Sequence, residues 1–319
     1  MASGLLEVQQ QMADVGIVLL ARDLPLRADG RWHNAGKGGK AGYKIECAYS
    51  NGTEFYTGVF GLHGKQWFGI RKDADQVSIE REEWMRQQAE IRRAAEAAKA
   101  KDIESAQGNA RELWARASKT GRSAYLERKG ITRVETARLD GNLLRIPMVR
   151  YDHAQGDRLK GIQTIKPDGS KLFTKGMAKA GTSCKLGCVV AGEPMILAEG
   201  YATAATIREA TGYQVPVFVC FDAGNLMPAA EAIRAVWRNP ILICADDDWR
   251  TAGNPGRDKA LRVTRALPNC HMTYPVWPLG MARDAKHTDF NDLAAACGLN
   301  VVARRLAAPL SFFREAAAA

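Results

Sequence analysis

From residue 194 onward, short apolar runs alternate with segments in which apolar residues recur at helical spacing. The apolar runs lie at 195–198, 217–220, 241–245 and 272–277, and the helical segments at 202–211, 228–237 and 258–267. Runs that alternate with helices of about ten residues are typical of βαβ units, whose strands form a parallel sheet between helices. The pattern predicts an α/β fold for this region.

The region just before it has a different pattern. β-prone runs at 143–151, 160–166 and 171–174, with a turn signal at Asp168-Gly169, predict an antiparallel meander. Residues 145–185 contain nine basic residues and three acids. A run of like charge is usually a solvated face, but this excess on a short sheet favours phosphate binding.

The N-terminal part mixes both kinds of pattern. Residues 5–21 have helical spacing, although 17–20 could equally be a strand. Between 24 and 70, β-prone pieces punctuated by glycine, with Asn51-Gly52 as a hairpin turn, predict a small antiparallel sheet. Residues 78–118 lack proline and are rich in Glu, Ala, Arg and Lys, which predicts a long solvated helix and then a second helix around Trp114.

These patterns divide the chain into five segments. We expect a small N-terminal α/β unit (1–75), a helical connector (76–109), a helical and basic β subdomain (110–192), the parallel α/β domain (193–303) and a flexible tail (304–319).

Composition and charge narrow the class of protein. With 46% apolar and 25% charged residues the chain is an ordinary globular protein. It contains no apolar run of about 18 residues and no signal-peptide pattern. Seven scattered cysteines indicate reduced thiols, so we predict a cytoplasmic protein with no membrane partner. The net charge of +10 favours a polyanionic partner.

Acidic residues follow three of the predicted parallel strands. Glu199 ends the first strand, Asp246 and Asp248 follow the third, and Asp289 comes after the fourth. Carboxyl ends of parallel strands meet at one edge of the sheet, so we expect these acids to converge. Asp246 and Asp248, two apart on an extended segment, point the same way while Asp247 turns aside.

Oxygen ligands of this kind suit Mg²⁺ or Mn²⁺ rather than zinc. Acids that converge from distant positions are expected in a two-cation nucleotidyl-transfer site. We also expect Gly200 to permit a sharp turn that leaves Glu199 facing the crevice. A solvated acidic loop is the alternative interpretation of residues 246–248 alone.

Two other motifs are set aside on spacing. Residues 36–42 are rich in Gly and Lys but lack the Gly-Lys-Ser/Thr ending of a phosphate loop, so a flexible basic turn is favoured. The spacing of His33, Cys47 and His63 matches no paired zinc-ligand motif, and we expect no zinc.

The N-terminal sheet offers a further possibility. Arg31, Trp32, Lys37 and Lys40, together with Trp67 and Phe68, could stack on and steer a single strand of nucleic acid. Packing of these aromatic residues in a core is the alternative interpretation.

At this point the sequence resembles a known family. Ala198-Glu199-Gly200, Asp246-x-Asp248 and Asp289-Phe-Asn-Asp292, in this order on alternating strands and helices, are similar to the motifs of the Toprim domain. That domain is shared by DnaG-type primases, topoisomerases and some nucleases. The preceding segment, with Leu144-Arg-Ile-Pro147 and Asp168-Gly-Ser-Lys171, resembles the Toprim primases of phages and mobile plasmids. The resemblance covers residues 110–300.

The resemblance implies a DNA primase, which synthesises short RNA primers from NTPs on single-stranded DNA with Mg²⁺ or Mn²⁺. Glu199, Asp246 and Asp248 would be catalytic, and together with Asp289 they would bind the metal; Glu199 would also relay a proton. Asp292 would either bind metal or cap a helix. Nucleotide or template would be bound by Arg145, Lys166, Lys171, Lys179 and Lys259, although Lys259 is equally well a solvated helix residue.

The sequence also departs from the family. It lacks the Cys-rich zinc unit with which many DnaG-type primases begin. It also contains no P-loop helicase motif, so a replicative helicase would be either a partner protein or another portion of the native protein. The alternatives to primase are a Toprim nuclease, which would use the same acids to activate water, and a non-catalytic nucleic-acid-binding module.

Overall fold

The computed structural model describes residues 3–50, 53–70 and 77–318. The chain divides into two compact units, Met1–Ala95 and Glu96–Ala319. This division differs from the five expected segments, because helix α2 (Val77–Arg116) runs across the boundary.

The first unit packs one helix on an antiparallel sheet. Helix α1 is Ser3–Asp14, and the strands are β1 (Asp29–Ala35), β2 (Ala41–Ser50), β3 (Thr53–Leu62) and β4 (Trp67–Gly69), in the order β1-β2-β3-β4. Tyr43, Ile45 and Phe60 bury one face of the sheet in a core with Val8 and Met12 of α1. The predicted antiparallel sheet is thus confirmed, whereas the Asn51-Gly52 turn lies outside the described residues.

A single helix replaces the two that were expected before the meander. Helix α2 continues through Gly108 to Arg116, although a glycine inside a helix costs about 1 kcal/mol. Ala106 and Ala110 are fully buried, so packing on one side of the helix compensates for this cost. The short helix α3 (Ala124–Arg128) follows, and the Ser123 side chain accepts a hydrogen bond from the Leu126 N–H at its start.

The basic meander forms an antiparallel sheet, as predicted. Its strands are β5 (Arg138–Asp140), β6 (Leu143–Val149), β7 (Leu159–Ile165) and β8 (Lys171–Phe173), in the order β5-β6-β7-β8. Leu144, Ile146 and Met148 are fully buried and join the core of the second unit. Strand β5 was not predicted, and its partner contacts are important for the interpretation of Arg145 below.

A second sheet contains four parallel strands with an antiparallel strand at its edge. Its strands are β9 (Cys184–Leu186), β10 (Met195–Ala198), β11 (Val217–Val219), β12 (Ile241–Cys244) and β13 (Cys270–Thr273), in the order β13-β12-β10-β11-β9. The mixed α/β fold with a parallel sheet is therefore confirmed. The last strand begins two residues and ends four residues earlier than expected, at Cys270 and Thr273.

Helices cover both faces of this sheet. They are α4 (Tyr201–Ala210), α5 (Leu226–Val236), α6 (Pro255–Ala266), α7 (Phe290–Cys297) and α8 (Leu299–Ala318). Strand residues alternate between the two sides. Ile196 and Ala198 pack with α4, α7 and α8, whereas Met195 and Leu197 pack with α5 and α6.

The segment expected to be a flexible tail is helix α8. Leu306, Leu310 and Phe313 are buried along one side of it. None of the helices described in the structure has the length and apolar content required to cross a lipid bilayer. Cys184, Cys188, Cys220, Cys244, Cys270 and Cys297 are free thiols.

Candidate active site

The acids at the strand ends do converge. Ala198 pairs with Cys244 on the neighbouring parallel strand, which places Glu199 and the 246–248 loop side by side at the carboxyl edge of the sheet. Glu199, Asp246 and Asp289 line one cavity of about 650 Å³. Asp248 does not line this cavity, but its charge raises the pKa of both Glu199 and Asp246. The structure therefore brings all four predicted metal-binding acids together.

Glu199 and Asp246 are in an environment that disfavours their charge. Burial, followed by the charges of Asp248 and Asp222, raises the pKa of Glu199 to about 7, and Lys171 opposes this rise. Burial and then the charge of Glu199 raise the pKa of Asp246 well above its usual value. Glu199 Oε1 and Asp246 Oδ1 are buried without a hydrogen-bond partner. Buried carboxylate oxygens without partners cost free energy unless a cation or ligand satisfies them.

Asp248 and Asp289 differ because the backbone holds each of them. Asp248 Oδ2 accepts a hydrogen bond from the Gly256 N–H at 3.1 Å. Asp289 is the N-cap of α7, where its Oδ1 accepts from the Asp292 N–H at 2.8 Å. Asp292 reciprocates, since its Oδ2 accepts from the Asp289 N–H. Burial is the main cause of the raised pKa of Asp289, and the charge of Asp292 adds to it. Asp292 therefore belongs to the capping box of α7, in which Asp289 is the N-cap.

Asp247, between the two site acids, points away from them. Its Oδ2 accepts a 2.6 Å hydrogen bond from Arg283 Nη1, and its Oδ1 accepts one from Asn254 Nδ2. The Asp247 N–H donates to the Thr288 carbonyl at 2.7 Å. These contacts tie the loop that carries Asp246 and Asp248 to the loop that carries Asp289. Asp247 therefore positions the neighbouring acids.

Two glycines fix the backbone at the site, for different reasons. A Cβ on Gly256 would lie 2.4 Å from the Asp246 carbonyl oxygen, so only glycine lets α6 begin this close to the acidic loop. The chain bends at Glu199 and Gly200 as expected, but Gly200 has a φ of −100°, which any residue adopts, so the bend does not require glycine. It lines the cavity instead, where a Cβ would lie 4.0 Å from Lys171 Nζ. A side chain at this position would occupy ligand space.

The sequence interpretation missed Asp222. It lies just beyond β11, faces the cavity and raises the pKa of Glu199. Lys179 is ion-paired with it. Phe221 before it has a φ of +75°, a region rare for residues other than glycine and found at functional sites. The signal was available, since Asp222 is a fourth acid at a strand end.

The predicted phosphate-binding residues separate into groups. Lys171 lines the cavity, and Lys179 lies beside it in the ion pair with Asp222. Arg145 is buried, paired with Asp140 at 2.6 Å and bonded to Thr164 Oγ1, so it faces the sheet and not the cavity. Lys166 and Lys259 are exposed and do not line the cavity.

Ion pairs also engage other basic residues of the meander. Arg150 pairs with Asp152, and Lys160 pairs with Asp157. Fewer of the nine basic residues in 145–185 are therefore available to bind phosphate than their number suggested.

Side chains from the meander and from α3 complete the cavity. Gln163 of β7 is buried, and its Nε2 has no hydrogen-bond partner. Tyr125 also lines the cavity, and burial raises its pKa to about 12, so its hydroxyl remains protonated. Arg128 and Lys129 also line the cavity. No pattern in the sequence singled out these four residues.

The N-terminal candidates lie in the first unit and are exposed. Trp32 lies on β1 next to Arg31, and Lys37 and Lys40 lie in the turn that follows. Phe68 is different, because it stacks on Phe60 at 6.2 Å and packs against the core. His33 and His63 contact Asp29 and Asn34.

The acids fit a hard divalent cation. Mg²⁺ is usually held by one or two protein carboxylates, several waters and substrate phosphates. The unpartnered oxygens of Glu199 and Asp246 can supply such ligands. Within residues 3–50, 53–70 and 77–318, no group of three or more His, Cys, Asp or Glu side chains is arranged so that it could hold a metal ion. The four acids are therefore neighbours at one edge of the sheet that do not by themselves form a metal site.

A parallel sheet with acids at the carboxyl ends of adjacent strands defines the class of this domain. The family model described as the Toprim domain matches residues 194–300. This part of the chain therefore matches the Toprim domain, which confirms the resemblance that its three acidic motifs indicated.

Two relatives among curated proteins are primases. Two Escherichia coli proteins named DNA primase TraC match this chain. One is 40% identical over 114 residues, which are 33% of this chain and 11% of the relative. The other is 33% identical over 151 residues, or 45% of this chain and 10% of the relative. The match spans about a tenth of these relatives' length, and it confirms the resemblance to Toprim primases.

Solved structures of primases are similar to part of the chain. The primase fragment of the bacteriophage T7 primase-helicase has a TM-score of 0.39 and 13% identity, over 57% of this chain and 69% of that one. The RNA polymerase domain of Mycobacterium tuberculosis primase DnaG has a TM-score of 0.33 and 18% identity, over 59% of this chain and 63% of that one.

Proposed function

We propose that this chain is a DNA primase that joins ribonucleotides into short RNA primers on single-stranded DNA during plasmid or phage replication. The observation that carries the proposal is the pair of buried, unpartnered carboxylate oxygens of Glu199 and Asp246 in a cavity that Lys171 also lines. The similarity to curated DNA primases supports the same activity. Residues 110–192 and 193–303 would be its two catalytic subdomains.

Glu199, Asp246, Asp248 and Asp289 would hold Mg²⁺ or Mn²⁺. When bound, the cation supplies a lowered pKa for the attacking hydroxyl and stabilises charge on the phosphate. The raised pKa values of Glu199 and Asp246 support this assignment, because a cation is what would let these acids ionise together.

The other residues of the cavity would bind and orient the nucleotide. Lys171 would pair with the triphosphate, which carries the opposite charge. Gln163 Nε2, buried without a partner, would donate a hydrogen bond to the nucleotide. Glu199 would also relay the proton of the attacking 3′-hydroxyl, which requires that it be ionised when the nucleotide is bound. The proposed partners are single-stranded DNA and NTPs, and a replicative helicase that is either a separate chain or another part of the native protein.

The test is incubation of the full chain with single-stranded DNA, four NTPs (one of them labelled) and Mg²⁺ or Mn²⁺. We expect short labelled oligoribonucleotides, which are lost with Asp246→Ala and retained with Asp258→Asn, a control on helix α6. Cleavage of the DNA without synthesis would instead indicate a Toprim nuclease. DNA binding with neither reaction would indicate a binding module.

A further inference from the structure

The outer face of the N-terminal sheet presents two tryptophans to solvent. Residues paired across neighbouring strands share a face of the sheet. Asn34, Gly42, Gly61 and Trp67 form one such row across the four strands, and Trp32 begins the adjacent row, paired with Lys44. The opposite face buries Tyr43 and Phe60. This face is therefore the solvent side of the sheet.

Glycines form the seat for both indoles. A Cβ on Gly42 would lie 2.9 Å from Trp32 Cζ2, and a Cβ on Gly61 would lie 2.6 Å from Trp67 Cε3. Any larger residue at either position would displace a ring from the backbone. The two ring centroids lie 5.0 Å apart, and His63 contacts Trp67 edge-on. The tryptophans remain 48% and 38% exposed.

Positive and negative charges lie at opposite ends of this sheet. Ala35, Ala41 and Leu62 pair across the strands, so the β1–β2 turn and the β3–β4 turn lie at the same end of the sheet. Lys37 and Lys40 in the first turn and Lys65 in the second are all exposed. The acids Asp29 and Glu46 pair at the other end, where they are engaged by His33 and Lys44.

We propose that Trp32 and Trp67, seated on Gly42 and Gly61, form a platform that stacks bases of a single nucleic-acid strand while Lys37, Lys40 and Lys65 bind its phosphates. Exposed aromatic faces beside cations match the two components of a single strand. A negatively charged partner without bases would use only the lysines, and a purely apolar partner would use only the tryptophans. The assignment of this strand as the template rests on the proposed function, whereas the binding itself does not.

The test measures fluorescence anisotropy of labelled oligo-dT and oligo-rU strands with the full chain over a salt series. We expect Trp32→Leu and Trp67→Leu, which keep an apolar cover on the glycines, each to weaken binding by about 10-fold. Trp32→Phe and Trp67→Phe keep an aromatic face and should retain most of the affinity. Phe312→Leu, which changes an exposed aromatic residue of the second unit, is the matched control and should have no effect.

The lysines give an independent measurement that does not involve the packing of the sheet. Replacing Lys37, Lys40 and Lys65 with alanine should lower the slope of log Kobs against log salt by about 2, because each phosphate contact on a single strand contributes about 0.7. Comparison of the two oligonucleotides assigns the platform to DNA, RNA or both.

The platform would be overturned if the double Trp→Leu variant bound the strand as tightly as the wild type. It would also be overturned if the double Trp→Leu and double Trp→Phe variants lost the same amount of affinity. Asp258→Asn, on helix α6, should bind the strand as the wild type does. A chain that binds strands through the platform but makes no primers would contradict only the proposed function.

Discussion

The two principal sheets place their polar chemistry in different locations. The N-terminal sheet β1–β4 has one face in a core and one face in solvent, so its Trp32 and Trp67 can stand on the sheet itself. The Toprim sheet is covered by helices on both faces, and residues such as Leu197 and Ile243 are fully buried. Its polar side chains occur where strands end, in the loops that follow.

The difference predicts a difference in energetic cost. Side chains on an open face keep their hydration, so placing functional residues there lowers the free energy of unfolding only slightly. Carboxylates at the edge of a sheet covered on both faces lose hydration and repel one another, which raises the pKa of Glu199, Asp246 and Asp289. We therefore expect substitutions at the strand ends to separate activity from stability, and substitutions on the open face to leave stability nearly unchanged.

The largest expected effect is that of Asp246→Asn. Loss of a metal-binding charge should lower primer synthesis by on the order of 10³-fold, since a cation supplies several kcal/mol of transition-state stabilisation. In a chelating buffer the same variant should unfold at a higher temperature than the wild type, because the amide removes a charge from a buried position. Thermal unfolding and primer assays on the same sample measure both.

Asp258→Asn, on helix α6 and paired with Arg262, is the control for loss of an aspartate charge. It should change neither property appreciably. A less stable Asp246→Asn variant in chelator would contradict the idea that the site opposes folding.

Glu199→Gln should alter the pH dependence of stability. The fold raises the pKa of Glu199 from 4.5 to about 7, so the folded state favours the protonated form. Its stabilising contribution is complete below pH 4.5 and is lost as the pH rises to about 7. The wild type should therefore lose roughly 3 kcal/mol of unfolding free energy relative to Glu199→Gln across this window.

Urea unfolding at a series of pH values, without divalent metal, measures this difference. Comparison with the variant cancels the contribution of carboxylates such as Asp157, whose pKa is lowered to about 2 by Lys160 and His153. Parallel pH profiles for the two proteins would show that Glu199 is not held in the protonated form.

Much of this arrangement could be predicted from the sequence. Alternation of apolar runs with helical segments indicated the parallel sheet, and sheet geometry then required Glu199 and Asp246 to meet at its edge. The apolar spacing of Leu306, Leu310 and Phe313 was also visible and marks a docked helix, although alanine-rich composition suggested a flexible tail.

The rest depended on tertiary contacts. Arg145 was predicted to bind phosphate, but strand β5 places Asp140 beside it, and the two side chains form an ion pair. Asp222 could have been found as an acid two residues past a predicted strand, but the positive φ of Phe221 before it has no signal in the sequence. The packing of Gly256 on Asp246 joins a helix start to a loop ten residues earlier, which no local pattern reports.

Gly256→Ala tests that packing. The new Cβ would lie 2.4 Å from a backbone oxygen that cannot rotate away, so α6 or the acidic loop must shift. We expect a loss of about 1–3 kcal/mol of unfolding free energy, typical of overpacking, and a loss of primer synthesis larger than the loss of folded protein. Urea unfolding and primer synthesis per folded molecule measure the two losses.

Gly108→Ala is the matched control, because Gly108 lies within helix α2 and a Cβ there meets nothing within 4 Å. It should gain about 0.5–1 kcal/mol of stability with no change in activity. If Gly256→Ala retained full activity, Asp246 would tolerate movement, and the site would be less constrained than its geometry indicates.

The smallest expected effect belongs to the open face. Trp32→Leu should lower the free energy of unfolding by less than about 1 kcal/mol, since the ring is half exposed and leucine still covers Gly42. Phe60→Ala in the same sheet, where the ring is 2% exposed, should cost about 3–5 kcal/mol. Urea unfolding of the two variants compares the faces of one sheet directly. A loss for Trp32→Leu as large as that for Phe60→Ala would mean that the exposed tryptophan is a structural residue, and the contrast between an inexpensive open face and costly strand ends would no longer hold.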